Sequence, residues 1–205
     1  MSNGIFDLLQ GQLSEGMVEQ IASQLGVADK QQTQNAASSA ISVLMGALAK
    51  NASTPEGSQS LANALERDHD GSILEDFIGM ATGAAKPSNS KMLNGAGILK
   101  HVLGGKQSGA IEMISQMSGL SGDKSGSLLT MLAPLVMGAL GKAKSSGGLD
   151  AGGLGSLLQS EVKQVGSQRQ EMGMIGKLLD QDGDGSIIDD VAGLGMKVLG
   201  GLFKK

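Results

Sequence analysis

The chain has no cysteine, tryptophan or tyrosine, and only three phenylalanines and three prolines among its 205 residues. Each absence removes a class of chemistry. Without cysteine there is no disulfide, no thiolate metal site and no thiol nucleophile. That composition suits a reducing compartment, and a cytoplasmic location is the expectation. With so few aromatic rings there is no platform on which bases or sugars could stack. Positive charge is not in excess: 16 Lys and Arg stand against 20 Asp and Glu, for a net charge of -4. A nucleic-acid partner is therefore not expected. No run reaches the ~18 apolar residues of a membrane span. Residues 1–11 also lack the charged start and apolar run of a signal peptide.

What the chain does have in quantity is 33 Gly and 12 Met. Glycine lets helices approach closely but weakens each by roughly 1 kcal/mol relative to alanine. Methionine fills irregular gaps with a flexible apolar stem. Together they suggest a thinly packed helical core, with helix faces that could also bind another copy of the chain.

Apolar residues recur at helical spacing, and period-two β-branched runs are missing. The fold expected is all-α and multihelical. Ile5, Leu8, Leu9 and Leu13 form one stripe, and Val18, Ile21 and Leu25 the next. Asp29 reads as the N-cap of a helix running to about Lys50, and Thr54-Pro55-Glu56 as the start of another. Further helices are expected at about 94–103 and 106–118, and from Gly122 onward. Pro134 falls inside that last one, where a kink or break is predicted. Residues 141–155, rich in Gly, Ser and Lys, read as a linker before helices at about 154–170 and 172–179.

An internal repeat underlies this order. Met45-Gly46-Ala47-Leu48-Ala49-Lys50 returns as Met137-Gly138-Ala139-Leu140-Gly141-Lys142, and Ile21-Ala22-Ser23-Gln24-Leu25 resembles Met113-Ile114-Ser115-Gln116-Met117. Both pairs are 92 residues apart. Each half then closes with an acidic loop and a helix. The expected division is a first repeat over 1–85 and a second over 86–205, packed together as one compact domain or exchanged with a partner chain.

The residues from Ile5 to Leu9, Ser23-Gln24-Leu25-Gly26, Met45 to Ser53 followed by Pro55-Glu56-Gly57, Asp68 to Gly71, Gly97 to Gln107 and Leu132 to Gly138 carry a family resemblance. Over about residues 1–142 the chain resembles the YidB-like bacterial family, a domain of unknown function. The resemblance implies an all-α, multihelical fold and supplies no activity. The C-terminal acidic loop looks like an extension found in longer members.

The two acidic loops carry the only metal chemistry in the sequence. In the second, Asp180, Asp182 and Asp184 occupy positions 1, 3 and 5 of an EF-hand-like calcium loop, with Gly185 at 6 and Ser186 at 7 offering its carbonyl. Position 12 is Val191 rather than the usual Glu, so Asp189 or Asp190, at positions 10 and 11, would have to close a shortened cage. In the first loop Glu66, Asp68 and Asp70 take positions 1, 3 and 5, Gly71 is at 6, Ser72 at 7 and Glu75 at 10. Glu66 is long for its role. A metal-free explanation competes: Asp-Gly favours a turn, and Ser followed three residues later by an acid is a capping box. It leaves the crowding of three like charges at 180–184 unexplained. The expectation is a non-enzymatic protein whose loops bind Ca²⁺ structurally and which self-assembles. A metal-free homo-oligomeric scaffold is the alternative, and a small hydrolase ranks last. His69 and His101 are the only histidines, and Gly138 to Lys142 lacks the spacing of a phosphate loop.

Overall fold

A computed structural model describes residues 4–68 and 94–168. The chain divides into two compact units, Met1–Val162 and Lys163–Lys205. Of the second, only residues 163–168 are described. The described residues form eight α-helices and no strand, as the hydropathy pattern predicts. They are α1 (Ile5–Gln12), α2 (Glu15–Leu25), α3 (Lys30–Asn51), α4 (Pro55–Asp68), α5 (Gly95–Val102), α6 (Gln107–Ser118), α7 (Gly122–Gly147) and α8 (Ala151–Gln168). A single 3₁₀ turn at Gly104–Lys106 joins α5 to α6.

The first unit is organised around α3 and α7, which pack on one another. Helix α3 is buried without interruption from Ser39 to Ala49, and α7 from Leu132 to Gly141. A surface helix buries one stripe; a helix buried on every side is a core element. Helices α1, α2, α4, α5 and α6 pack around this pair. Alanine, serine and glycine make this possible in α3, because small side chains keep its neighbours close. Two of its buried hydroxyls are satisfied by local backbone: Thr33 Oγ1 donates to the Asp29 carbonyl at 3.0 Å and Ser42 Oγ to that of Ser38 at 2.9 Å. The same burial explains α7, whose length and mean hydropathy of 1.3 would suffice to cross a membrane. Two-thirds of that stretch (67%) lies inside the fold, as in a core helix.

Helix starts follow the caps read from the sequence. Asp29 Oδ1 accepts from the Gln32 N–H at 3.0 Å, and Thr54 Oγ1 from that of Gly57 at 3.1 Å. Helix α2 stops at Gly26, whose φ of 61° lies in the left-handed region that a side chain disfavours. The Val27 N–H then reaches back to the Ala22 carbonyl at 2.9 Å, closing a Schellman turn.

Three expectations are corrected. Pro134 does not break α7, which is helical from Gly122 to Gly147. Proline lacks the N–H that would bond the Thr130 carbonyl four residues back. Gly95, the first residue of α5, sits against that carbonyl oxygen, so closely that a Cβ there would overlap it. The oxygen thus keeps a weak Cα–H donor in a packed setting. Residues 141–155 are mostly helical rather than a linker: α7 continues to Gly147 and α8 begins at Ala151, with Asp150 Oδ1 accepting from the Gly153 N–H at 2.7 Å. Residues 65–68, assigned to the first acidic loop, belong to the last turn of α4.

Candidate functional site

Glu66 and Asp68 are the two loop acids that fall on described backbone. Both lie in the last turn of α4, where residues two apart are not neighbours on the helix surface. Glu66 is already engaged: Lys144 Nζ of α7 donates to its Oε1 at 2.6 Å. The lysine side chain is 13% exposed and the glutamate 63%. The pair joins the end of α4 to the last part of α7 as a surface contact. Asp70, Ser72 and Glu75 of the first loop lie outside the described residues, as do Asp180, Asp182, Asp184, Ser186, Asp189 and Asp190 of the second. Among the described residues, no three His, Asp or Glu side chains come together as a metal-binding group.

Sequence reading missed the one buried carboxylate among the described residues of the first unit. Glu161, on α8, is only 8% exposed. Its Oε2 accepts the Phe6 N–H at 3.1 Å, across 155 residues of chain. Phe6 is the second residue of α1, and its amide is one of the four that a helix start leaves without an internal partner. No side chain of the Gly4 N-cap does the work; a carboxylate from α8 does it instead, with favourable sign toward the helix dipole. A Cβ at Gly4 would lie 2.5 Å from both Glu161 oxygens, so the glycine leaves room for the acid. No local pattern announces such a contact, because its partners belong to opposite ends of the unit.

Two other features bear on chemistry. His101 Nδ1 lies 2.9 Å from the Gly97 carbonyl oxygen on its own helix. A carbonyl only accepts, so this contact places the proton on Nδ1 and gives the ring a structural role. A shallow groove of about 380 Å³ runs between the α3–α4 turn and the start of α8, lined by residues including Ser53, Thr54, Ser58, Gln59, Ser156 and Gln159. It offers hydroxyls and amides, and no charged side chain lines it.

Comparison with known families fits this helical frame. The profile of a bacterial protein family of unknown function, DUF937, matches residues 7–143. The chain belongs to this family. The match agrees with the YidB-like resemblance and covers α1 to nearly the end of α7. None of the curated proteins and none of the solved structures matches the chain. DUF937 membership brings no assigned activity, so the functional reading rests on this chain's own residues.

Proposed function

We propose that this DUF937 member is a non-enzymatic, duplicated helical protein whose acidic loops bind Ca²⁺ and thereby stabilise the folded chain. The carrying observation is the run Asp180-x-Asp182-x-Asp184-Gly185-Ser186, followed by Asp189 and Asp190. Three carboxylates within five residues repel each other unless a cation lies among them, and alternate placement suits an oxygen cage for calcium. The first loop, with Asp70, Ser72 and Glu75 beyond α4, is the weaker site, because a cation there competes with Lys144 for Glu66.

The duplication is supported by the spacing of the helices. Glu15 and Gln107 begin α2 and α6, and Lys30 and Gly122 begin α3 and α7; each pair is 92 residues apart. The buried hydroxyls Thr33 and Ser125 share this spacing.

A titration of the full chain with calcium, followed by thermal melting, tests the metal reading. A ligand held at a hundred times its dissociation constant stabilises the native state by about 2.7 kcal/mol. Millimolar Ca²⁺ is expected to raise the melting midpoint by several degrees, and D182N/D184N to abolish the rise. An unchanged midpoint in the unsubstituted protein at millimolar Ca²⁺ removes the proposal.

One observation favours the second reading, metal-free capped turns in a self-associating scaffold. Asp29, Thr54, Asn94 and Asp150 all cap helices through side-chain oxygens, and Ser72 and Glu75 have the spacing of another such cap. Light scattering with and without chelator separates the readings: a chelator-independent oligomer supports the scaffold, and a monomer under both conditions removes it.

A further inference from the structure

We infer that the two halves of the first unit meet as an isologous pair, each half docked on the other as on a second copy of itself, with Gln32 and Lys124 setting the register. The inference rests on the duplication proposed above. Gln32 is the third residue of α3, and its Nε2 donates to the Ser118 carbonyl, at the C-terminal end of α6, at 3.0 Å. Lys124 is the third residue of α7, and its Nζ donates to the Gly26 carbonyl, at the C-terminal end of α2, at 2.8 Å. The donors are 92 residues apart, and so are the acceptors. Residue i of the first half therefore caps residue j of the second, while the equivalent of i in the second half caps the equivalent of j in the first. That exchange is the signature of a two-fold interface between identical units.

Chemistry gives each contact a purpose. The last carbonyls of a helix lack internal donors and carry the negative end of its dipole. An amide or ammonium from the opposite half satisfies one of them, and it can do so only when the two helix pairs are docked in one register. The turns adjust locally to keep this register. Helix α6 ends one residue later than α2 relative to the repeat, at the left-handed Gly119. The turn that follows is one residue shorter, and the N-caps Asp29 and Ser121 return to the 92-residue spacing. Both caps sit at the starts of α3 and α7, and further along these helices Leu44 and its equivalent Val136 are both at most 1% exposed. The surface buried between the halves thus fits one kind of partner, another copy of the same helical unit.

Hydrogen exchange read by mass spectrometry on the full chain tests this. Gln32→Ala is expected to speed exchange at the end of α6, in the other half, by roughly two- to tenfold, the worth of one hydrogen bond. Lys124→Ala is expected to do the same at the end of α2. Gln32→Lys, which gives both halves the same donor, is expected to restore protection. Fraying confined to the variant's own helix start, or a Gln32→Lys chain that exchanges like Gln32→Ala, overturns the reciprocal docking. The duplication itself is read separately in the unsubstituted chain: clearly unlike protection of α2–α3 and α6–α7 removes that reading whatever the variants show.

Discussion

Gly95→Ala is expected to destabilise the first unit, although alanine is the better helix former. Gly95 opens α5 where that helix crosses α7 at Thr130, and the added Cβ would overlap the Thr130 carbonyl oxygen and crowd its carbonyl carbon. Neither side can yield cheaply. The obstacle is backbone within a core helix, and Leu99 and Val102 hold α5 down at 0% and 9% exposure. Overpacking of this kind costs about 1–3 kcal/mol. Displacing α5 also forfeits the Cα–H contact that serves the oxygen deprived of a donor by Pro134, for about 0.5–1 kcal/mol more. Helix propensity returns at most about 1 kcal/mol. The net loss is about 1–3 kcal/mol, which lowers the melting midpoint of a unit this size by roughly 3–10 °C. Circular dichroism at 222 nm during a thermal ramp reads it. Gly109→Ala is the matched control: it lies within α6 with nothing within 4 Å of its Cβ position, so propensity alone acts and the midpoint should rise. If Gly95→Ala melts at or above the unsubstituted midpoint, the account of how α7 tolerates Pro134 is wrong.

Glu161→Ala leaves the Phe6 amide without its buried acceptor, and a hydrogen bond to a charged group is worth about 1.5–3 kcal/mol. Urea denaturation should show that loss, with Glu161→Gln recovering part of it because the amide oxygen still accepts; an alanine variant as stable as the parent contradicts the long-range cap. Glu66→Gln should change the urea midpoint little, by under about 0.5 kcal/mol in stability, since the glutamate of the Lys144 pair is mostly exposed and such pairs are screened. A loss above about 1 kcal/mol would mean the pair is an anchor rather than a surface contact. Thr54→Ala removes the α4 cap and should cost about 1 kcal/mol in the same assay; no measurable change would show that Pro55 alone sets the start of that helix.

Helix existence was legible in the sequence because it depends on local signals. Asp29 and Thr54-Pro55 announce the starts of α3 and α4, since a capping side chain and the amide it serves are three residues apart. Misreadings came where a distant contact overrides a local one. Gly141 to Gly147 reads as a linker on propensity, yet the stretch is helical as a continuation of the core helix α7. Pro134 reads as a break because the element that accommodates it, Gly95, is 39 residues earlier. Glu161 carries no signal at all: a glutamate on an amphipathic helix is expected in solvent, and only the arrival of α1 turns it into a cap. The reciprocal pair Gln32 and Lys124 hid for a different reason. Glutamine and lysine are unlike side chains in a sequence, and what they have in common shows only in what they donate to, the Ser118 and Gly26 carbonyls.

The two acidic loops differ in a way that bears on any metal they hold. Between Lys177 and Lys197 the second loop carries five aspartates and no cation. Two unit charges about 6 Å apart in water repel by roughly 0.7 kcal/mol, and the aspartates at 180, 182 and 184 accumulate several such terms. A divalent ion converts all of them into attraction at once. The first loop has Arg67 within its sequence, and Lys144 has already reached Glu66 at its entrance. Its repulsion is partly relieved before any ion arrives, so an ion gains less there and must displace a lysine to use that glutamate. A duplicated ancestor would have started with equal loops. On the duplication proposed above, the contact of Lys144 with Glu66 is one way in which the two loops now differ.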